Sequence, residues 1–156
     1  MSEAFELRIE RVIDAPLDAV WQAWTQHGGE WFCPRPWRAE IVVQELHAGG
    51  RSVIVMRGPE GEEHRHEGMF LEVVPRARIV STDAFIQGWH PAGPFMVRLD
   101  EFAELGGRTR YAAIARHWTA EARDQHAAMG FEAGWGAAAD QLEEVAQRLS
   151  GRSTGN

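Results

Sequence analysis

Six strand-like segments follow one another in the middle of the chain, and this feature constrains the fold most. The segments are Ala39–Leu46, Arg51–Arg57, 64–74, Arg78–Phe85, 95–102 and 109–118. Stretches rich in glycine, proline or acidic residues separate several of them, as in HAGG, GPEGEE and AELGG. Such stretches are turn signals. Consecutive hairpins of this kind predict an antiparallel meander and not a parallel α/β sheet.

One strand and a helical region precede the meander. FELRIERVI (Phe5–Ile13) alternates apolar and polar residues with one misfit, which predicts a half-buried strand. In DAPLDAVWQAWTQ, Pro16 suits the first position of a helix, and an apolar stripe follows at helical spacing. The next segment, HGGEWFCPRPW, has two glycines and two prolines, so we expect a single broken helical turn there.

The C-terminal part predicts one long helix, capped by Thr119 and continuing to Leu149. It is unusual because Gly130, Gly134 and Gly136 lie within two turns, and each costs about 0.5–1 kcal/mol relative to alanine in a helix interior. Two interpretations are compatible. The glycines could permit close packing of the helix on the sheet, or they could form a soft point that lets the first part of the helix open and close over a cavity.

Four motifs, in this order, resemble a known superfamily: DAPLDAVWQAWT, GGRSVIVMRGPEG, HEGMFLEVVPRARIVST and MGFEAGWGAAADQL. The superfamily is the START-like one, also called SRPBCC, helix-grip or Bet v 1-like. The most similar branch is that of the activator of heat-shock-protein-90 ATPase homologue-like proteins. The resemblance covers nearly the whole chain. It implies an α+β fold in which a curved antiparallel sheet of six or seven strands grips a long C-terminal helix, with two short helices after the first strand.

The same resemblance implies a function. Members typically hold an apolar cavity between sheet and helix, so the first hypothesis is non-catalytic binding of a hydrophobic or amphipathic small molecule. The second is an enzyme similar to polyketide cyclases or dehydratases. The third is a chaperone-associated interaction protein, although the branch name alone is no evidence for a chaperone partner. A homodimer is possible.

Four tryptophans lie in the 17 residues of WQAWTQHGGEWFCPRPW. Trp21 and Trp24 belong to the helical stripe, where large aromatic residues usually form core. Trp31 and Phe32 lie in the broken segment, which closes one end of the cavity in the helix-grip fold. We therefore expect core at the first pair and a pocket rim at the second, and we count Trp24 as a lining candidate too.

Other candidate ligand-binding residues share strand faces, flank a loop or lie near the glycine-rich helix. All of them could instead be packed core with no void. They are Ile54, Met56, Met69, Phe85, Trp89, Phe95, Met129, Phe131 and Trp135.

Catalytic candidates are weaker. His117 and Tyr111 lie on one strand face, and with Asp83 they could form an acid–base set inside a cavity. Ser81 and Asp83 would make a polar spot in the cavity if their strand face points inward. The pair His64 and His66 could supply two zinc ligands, but a third cannot be placed, so no metal site is predicted.

Composition and motif content exclude several classes of function and partner. The 23 acidic and 16 basic residues give a net charge of -7, which disfavours nucleic-acid and anionic membrane surfaces. No apolar run approaches the ~20 residues of a membrane span, and no secretory signal is recognisable, so we expect no membrane insertion and a cytoplasmic location.

The single cysteine, Cys33, excludes an internal disulfide. No nucleotide or hydrolase motif occurs, and no cofactor is predicted. We expect one domain over residues 1–150 and a disordered tail over 151–156.

Overall fold

A computed structural model describes residues 5–151, which form nine strands and four helices. The predicted α+β fold class is confirmed. The helices are α1 (Leu17–Gln26), α2 (Gly28–Trp31), α3 (Ala120–Ala128) and α4 (Phe131–Ser150). The strands are β1 (Phe5–Ile13), β2 (Arg38–Gln44), β3 (Arg51–Arg57), β4 (Glu63–Val74), β5 (Arg78–Thr82), β6 (Phe85–Ile86), β7 (His90–Pro91), β8 (Val97–Leu105) and β9 (Arg108–His117).

Seven of the strands form one antiparallel sheet in the order β1-β9-β8-β5-β4-β3-β2, and β6 and β7 pair separately. The meander from β2 to β5 follows chain order, as the hairpin signals predict. β1 and β2 occupy opposite edges of the sheet, although only α1 and α2 separate them in the chain. The two short helices therefore cross from one edge of the sheet to the other.

The main core lies between one face of the sheet and the helices α1 and α4. Ile9 and Ile13 contribute from β1, and Val20 contributes from α1. Leu142 and Val145 face them from α4. These residues repeat every second position on the strand and every third or fourth position on the helices, so each element buries a single apolar face.

The other sheet face is covered by long charged side chains. Ile114 of β9 is buried there, and the residue opposite it on β1 is Arg8. The Nε atom of Arg8 lies 3.1 Å from Glu10, and the Nε atom of Arg116 lies 3.1 Å from Glu6. The aliphatic stems of such residues can shield apolar surface while their charged ends stay in water.

The C-terminal region is two helices, so the prediction of one continuous helix is wrong. The predicted cap at Thr119 is present, because its hydroxyl accepts a hydrogen bond from the Ala122 amide at 3.0 Å. The chain then breaks at Gly130, whose φ of 94° lies in the left-handed region. A right-handed helix cannot pass through that conformation, and glycine adopts it without a Cβ clash.

The other two glycines differ from each other. A Cβ at Gly136 would lie 2.6 Å from the Nη2 atom of Arg11, whereas a Cβ at Gly134 would meet nothing within 4 Å. Close packing of the helix against a side chain of β1 therefore accounts for Gly136 but not for Gly134.

No helix within residues 5–151 is long and apolar enough to span a membrane. The predicted disordered tail lies outside the described residues, apart from Gly151.

Candidate functional site

A cavity of about 420 Å³ lies between the sheet and the helices α2 and α4. This volume falls within the ~300–1,000 Å³ that is usual for small-molecule sites. Ile54 and Met56 of β3, and Met69 of β4, line the sheet side. Phe131 and Trp135 line the helix side.

All the predicted lining residues except two contribute to the cavity wall. Trp24, Trp31, Phe32, Phe95 and Met129 do so in addition to those already named. Ser81 and Asp83 also line it, so the polar spot on this strand face points inward. The structure thus brings these side chains around one space.

Phe85 and Trp89 are the exceptions. They belong to the small β6–β7 hairpin, where their rings contact each other at 5.8 Å. Trp89 is 55% exposed. The expectation that they line the cavity is wrong because this loop folds back on itself.

Trp24 and Trp31 belong to the hydrophobic core and also line the cavity. Trp24 and Trp31 are buried, with ring centroids 5.6 Å apart, and Trp31 contacts Phe32 at the same separation. Trp21 instead packs edge-on against Phe102. Trp31 donates its indole N–H to no acceptor within residues 5–151.

Gln141 of α4 holds the aromatic segment in place. Its Nε2 atom donates to the carbonyl oxygens of Trp31 (3.1 Å) and Cys33 (2.7 Å), and its Oε1 atom accepts from the Arg35 amide at 2.9 Å. The segment has little regular structure, so these three bonds satisfy backbone groups that would otherwise be buried unpaired. Burial raises the pKa of the Cys33 thiol to about 11.

A buried polar network lies at the sheet side of the cavity. The carboxylate of Asp100 is fully buried and accepts from Trp24 Nε1 (3.2 Å) and the Tyr111 hydroxyl (2.5 Å). It also accepts from Arg98, through Nε at 2.8 Å and Nη2 at 3.0 Å. Four donors therefore compensate one carboxylate, as a buried charge requires.

The charge states in this network follow from burial and from the ion pair. Burial works to lower the pKa of Arg98, but Asp100 and Tyr111 outweigh it, so the pKa rises and the guanidinium stays charged. Burial first, and then the charge of Asp100, raise the pKa of Tyr111 well above its usual value. Tyr111 therefore remains a protonated donor.

Two histidines form a second polar pair beside the cavity. His117 Nδ1 lies 2.8 Å from the Phe5 carbonyl oxygen, which can only accept, so Nδ1 carries the proton. The Nε2 atom of His117 and the Nδ1 atom of His126 lie 2.9 Å apart and share one hydrogen bond. Burial, and then the charges of His117 and Arg98, lower the pKa of His126 to about 4.

The predicted acid–base set does not form a connected group. Tyr111 is bonded to Asp100, and His117 is bonded to His126. The Oδ1 atom of Asp83 accepts from the amides of Phe95 and Met96, at 2.8 and 3.2 Å. Asp83 and Tyr111 line the cavity, whereas His117 lies behind His126 and does not.

His64 and His66 lie in different surroundings. His64 stacks on Trp37 at 5.7 Å, and His66 lines the cavity. Within residues 5–151, no group of three or more potential ligands could hold a metal ion.

Sequence reasoning missed Asp100 and His126 as parts of the site. It allowed that Arg98, Arg110 and Arg116 bind a carboxylate but favoured a solvent-facing direction for arginines on alternating strands, which holds for Arg110 and Arg116 but not for Arg98. The available signal was that Arg98 and Asp100 alternate in phase with Met96 and Phe102, so two charges share an apolar face.

Comparisons with known proteins agree with the fold. The family described as "Activator of Hsp90 ATPase homolog 1-like protein" matches residues 14–147. The chain is similar to the crystal structure of protein NE0264 from Nitrosomonas europaea, with 34% identity, 96% of this chain and 99% of the other covered, and a TM-score of 0.90.

A second similar structure, from Rhodobacter sphaeroides, has 25% identity, covers 96% of this chain and 97% of its own, and has a TM-score of 0.79. A third, protein Ms6760 from Mycobacterium smegmatis, has 24% identity, covers 91% and 90%, and has a TM-score of 0.76; it supports the fold alone. No curated protein matches the chain.

Proposed function

The chain belongs to the activator of Hsp90 ATPase homolog 1-like family, and on that premise we propose that it binds a hydrophobic small molecule in the cavity between sheet and α4. The observation that carries the proposal is the cavity itself. Its walls are mostly aromatic, methionine and aliphatic side chains, with polar side chains in the minority. Burial of apolar ligand surface would supply most of the affinity, at roughly 25 cal/mol per Å².

The methionines suit such a site. Met56, Met96 and Met129 all line the cavity. Their unbranched side chains can adapt to different ligand shapes. Met129 is 72% exposed beside the Gly130 break, so the cavity has an adaptable apolar group at its edge.

Binding without catalysis fits the polar groups better than a cyclase or dehydratase does. Tyr111 and Asp100 are committed to each other and to Arg98. His126, with a pKa of about 4, is a weak base. An efficient general base at neutral pH has a pKa near the working pH.

The interaction-protein hypothesis has less support within residues 5–151. Its expected sign is a large continuous apolar patch. Of the eight exposed large hydrophobic residues in this range, Val12 and Val42 lie on β1 and β2, at opposite edges of the sheet. A cytoplasmic location, a homodimer and a chaperone partner remain predictions.

Native mass spectrometry of freshly purified protein, with a denatured control, tests the proposal. We expect an extra mass that disappears on denaturation. Gly134→Leu should reduce it, because a Cβ at this cavity-lining position meets no atom within 4 Å and the side chain would fill the space. Ala133→Leu is the matched control, since Ala133 is the exposed neighbour on the same helix.

The opposite outcome is equally clear. If no extra mass is seen, and no thermal shift occurs across a panel of lipids and aromatic polyketides, the cavity is not a binding site. The interaction hypothesis would then become the stronger one.

A further inference from the structure

Arg98 is the charged side chain that is best placed to orient a ligand in this cavity. Two of the five N–H groups of its guanidinium go to Asp100. The rings of Phe32 and Trp135 lie against the group, with centroids 5.1 and 4.3 Å from Cζ. The side chain keeps 13% of its surface accessible and lines the cavity. The part left to meet the cavity is therefore the guanidinium edge that carries Nη1.

The charges of the side chains that line the cavity decide which ligand group can bind to the Nη1 edge of Arg98. Arg98 is neutralised by Asp100, so the pair has no net charge to offer an incoming anion. The acidic residues that line the cavity are Glu67, which faces Arg51 (4.0 Å) and Arg65 (3.6 Å), and Asp83. Asp83 is held by two backbone amides.

An anionic ligand would therefore lose its hydration without gaining an uncompensated cation, and it would face the charge of Asp83. Burying a charge in this way is costly. A neutral acceptor pays a much smaller desolvation cost and still receives a charge-assisted hydrogen bond.

We propose that the ligand is an uncharged apolar molecule with a carbonyl-type oxygen, which accepts a hydrogen bond from the Nη1 edge of Arg98. This inference rests on the proposed function and specifies the ligand class for the same cavity. It assigns Arg98 as the residue that orients the ligand, with Asp100 and Tyr111 fixing the position of its guanidinium.

Three probes of nearly equal shape test the inference on the unmodified protein: 2-acetylnaphthalene, 2-isopropenylnaphthalene and 2-naphthoate. They differ in presenting a ketone, a methylene group or a carboxylate at the same position. Their Kd values can be measured by quenching of tryptophan fluorescence. We expect the ketone to bind about tenfold more tightly than the hydrocarbon, the ratio for one hydrogen bond to a charged donor. The carboxylate should bind more weakly than the ketone.

A variant assigns the preference to Arg98. Arg98→Met alone would leave Asp100 buried without its cation, so it is combined with Asp100→Asn, which can still accept from Trp24 and Tyr111. In this double variant the hydrocarbon should still bind, and the ratio of its Kd to that of the ketone should fall from about ten to about one. Arg116→Met, on the exposed face of β9, is the matched control and should keep the tenfold ratio.

The possible failures are distinguishable. Equal binding of ketone and hydrocarbon by the unmodified protein would leave the cavity as a binding site and overturn the role of Arg98. Tighter binding of the carboxylate would overturn the preference for an uncharged ligand. Absence of saturable binding by all three probes would overturn this inference and count against the proposed function, which the mass measurement tests separately. The double variant is informative only if it remains folded, but the probe series on the unmodified protein does not depend on it.

Discussion

His126 provides most of the aromatic contacts between α3 and the rest of the molecule. Its ring lies 4.7 Å from Phe95, 5.2 Å from Phe131 and 5.7 Å from Trp135, and it is hydrogen-bonded to His117. The imidazole must stay neutral in this surrounding, because a proton on it would be poorly solvated and close to Arg98.

This predicts a specific pH dependence of stability. The folded pKa of about 4 lies below the ordinary value of 6.5, so the unfolded chain binds more protons between these limits. The contribution of His126 is complete above pH 6.5 and is lost as the pH falls toward about 4. Between pH 7.5 and 4.5 the unmodified protein should lose about 2–3 kcal/mol more than His126→Phe.

Urea denaturation at the two pH values measures this difference. His47→Asn, at an exposed histidine, should behave like the unmodified protein. Equal losses in the unmodified protein and His126→Phe would mean that the imidazole is not held neutral by the fold.

Residue roles were only partly predictable. The alternation of apolar and polar residues placed Ile54, Met56 and Met69 on the cavity side. It could do so because successive side chains of a strand point to opposite faces, which depends on the local sequence alone. The direction of Arg98 depends on Asp100, two residues away on the same strand, and on the rings of Phe32 and Trp135, which lie far along the chain. The alternation of β8 indicates the first contact, but no local pattern contains the other two.

At the scale of the element, α3 differs from α4 in its attachment. His126 is the buried residue of α3, whereas α4 buries an apolar face along its length. Gly130 separates the two helices, and Met129 beside it lines the cavity and is exposed. α3 is thus a separate short element at the edge of the cavity, which agrees with a soft point in this region.

Hydrogen exchange should detect this difference. We expect the amides of α3 to exchange faster than those in the middle of α4, because opening α3 exposes little apolar surface. Mass spectrometry of deuterated peptides from 120–128 and 138–147 makes the comparison. Equal protection of the two segments would show that α3 unfolds only with the whole domain.

Two glycine substitutions should have opposite signs. Gly134→Ala should stabilise the protein by about 0.5–1 kcal/mol, because the position is helical and its Cβ meets nothing within 4 Å. Gly130→Ala should destabilise it by about 1–2 kcal/mol, since φ is 94° there. Chemical denaturation measures both, and a stabilising Gly130→Ala would refute the assigned backbone conformation.

The elements themselves were largely predictable. Turn signals and alternation located the strands of the meander, and the four motifs indicated the family. The division of the C-terminal region was missed because helix periodicity continues across Gly130. The break is seen only in the backbone angle of Gly130, which lies in the left-handed region.

At the scale of the whole molecule, Cys33 offers a probe of global opening. Cys33 is buried and lines the cavity, and burial raises the pKa of its thiol from 9.0 to about 11. Thiolate is the reactive form, so the folded protein should react about a hundredfold more slowly than the unfolded chain near pH 8, on ionisation alone.

Iodoacetamide labelling with increasing urea measures this. The rate should follow the fluorescence unfolding curve, and not the exchange of α3. Fast labelling of Cys33 without urea would mean that the cavity admits the reagent while the domain is folded.

The pairing of β1 with β9 has a consequence for synthesis on the ribosome. Phe5 lies opposite His117 in the register, so β1 cannot pair until β9 has been synthesised. At ~5–20 residues per second, the wait is on the order of 5–20 s. During that time the apolar face of β1 has no permanent cover. We therefore expect the nascent chain to depend on factors that protect exposed segments until β9 emerges, and substitutions that slow the pairing of β1 should lower the soluble yield before they lower the stability of the finished protein.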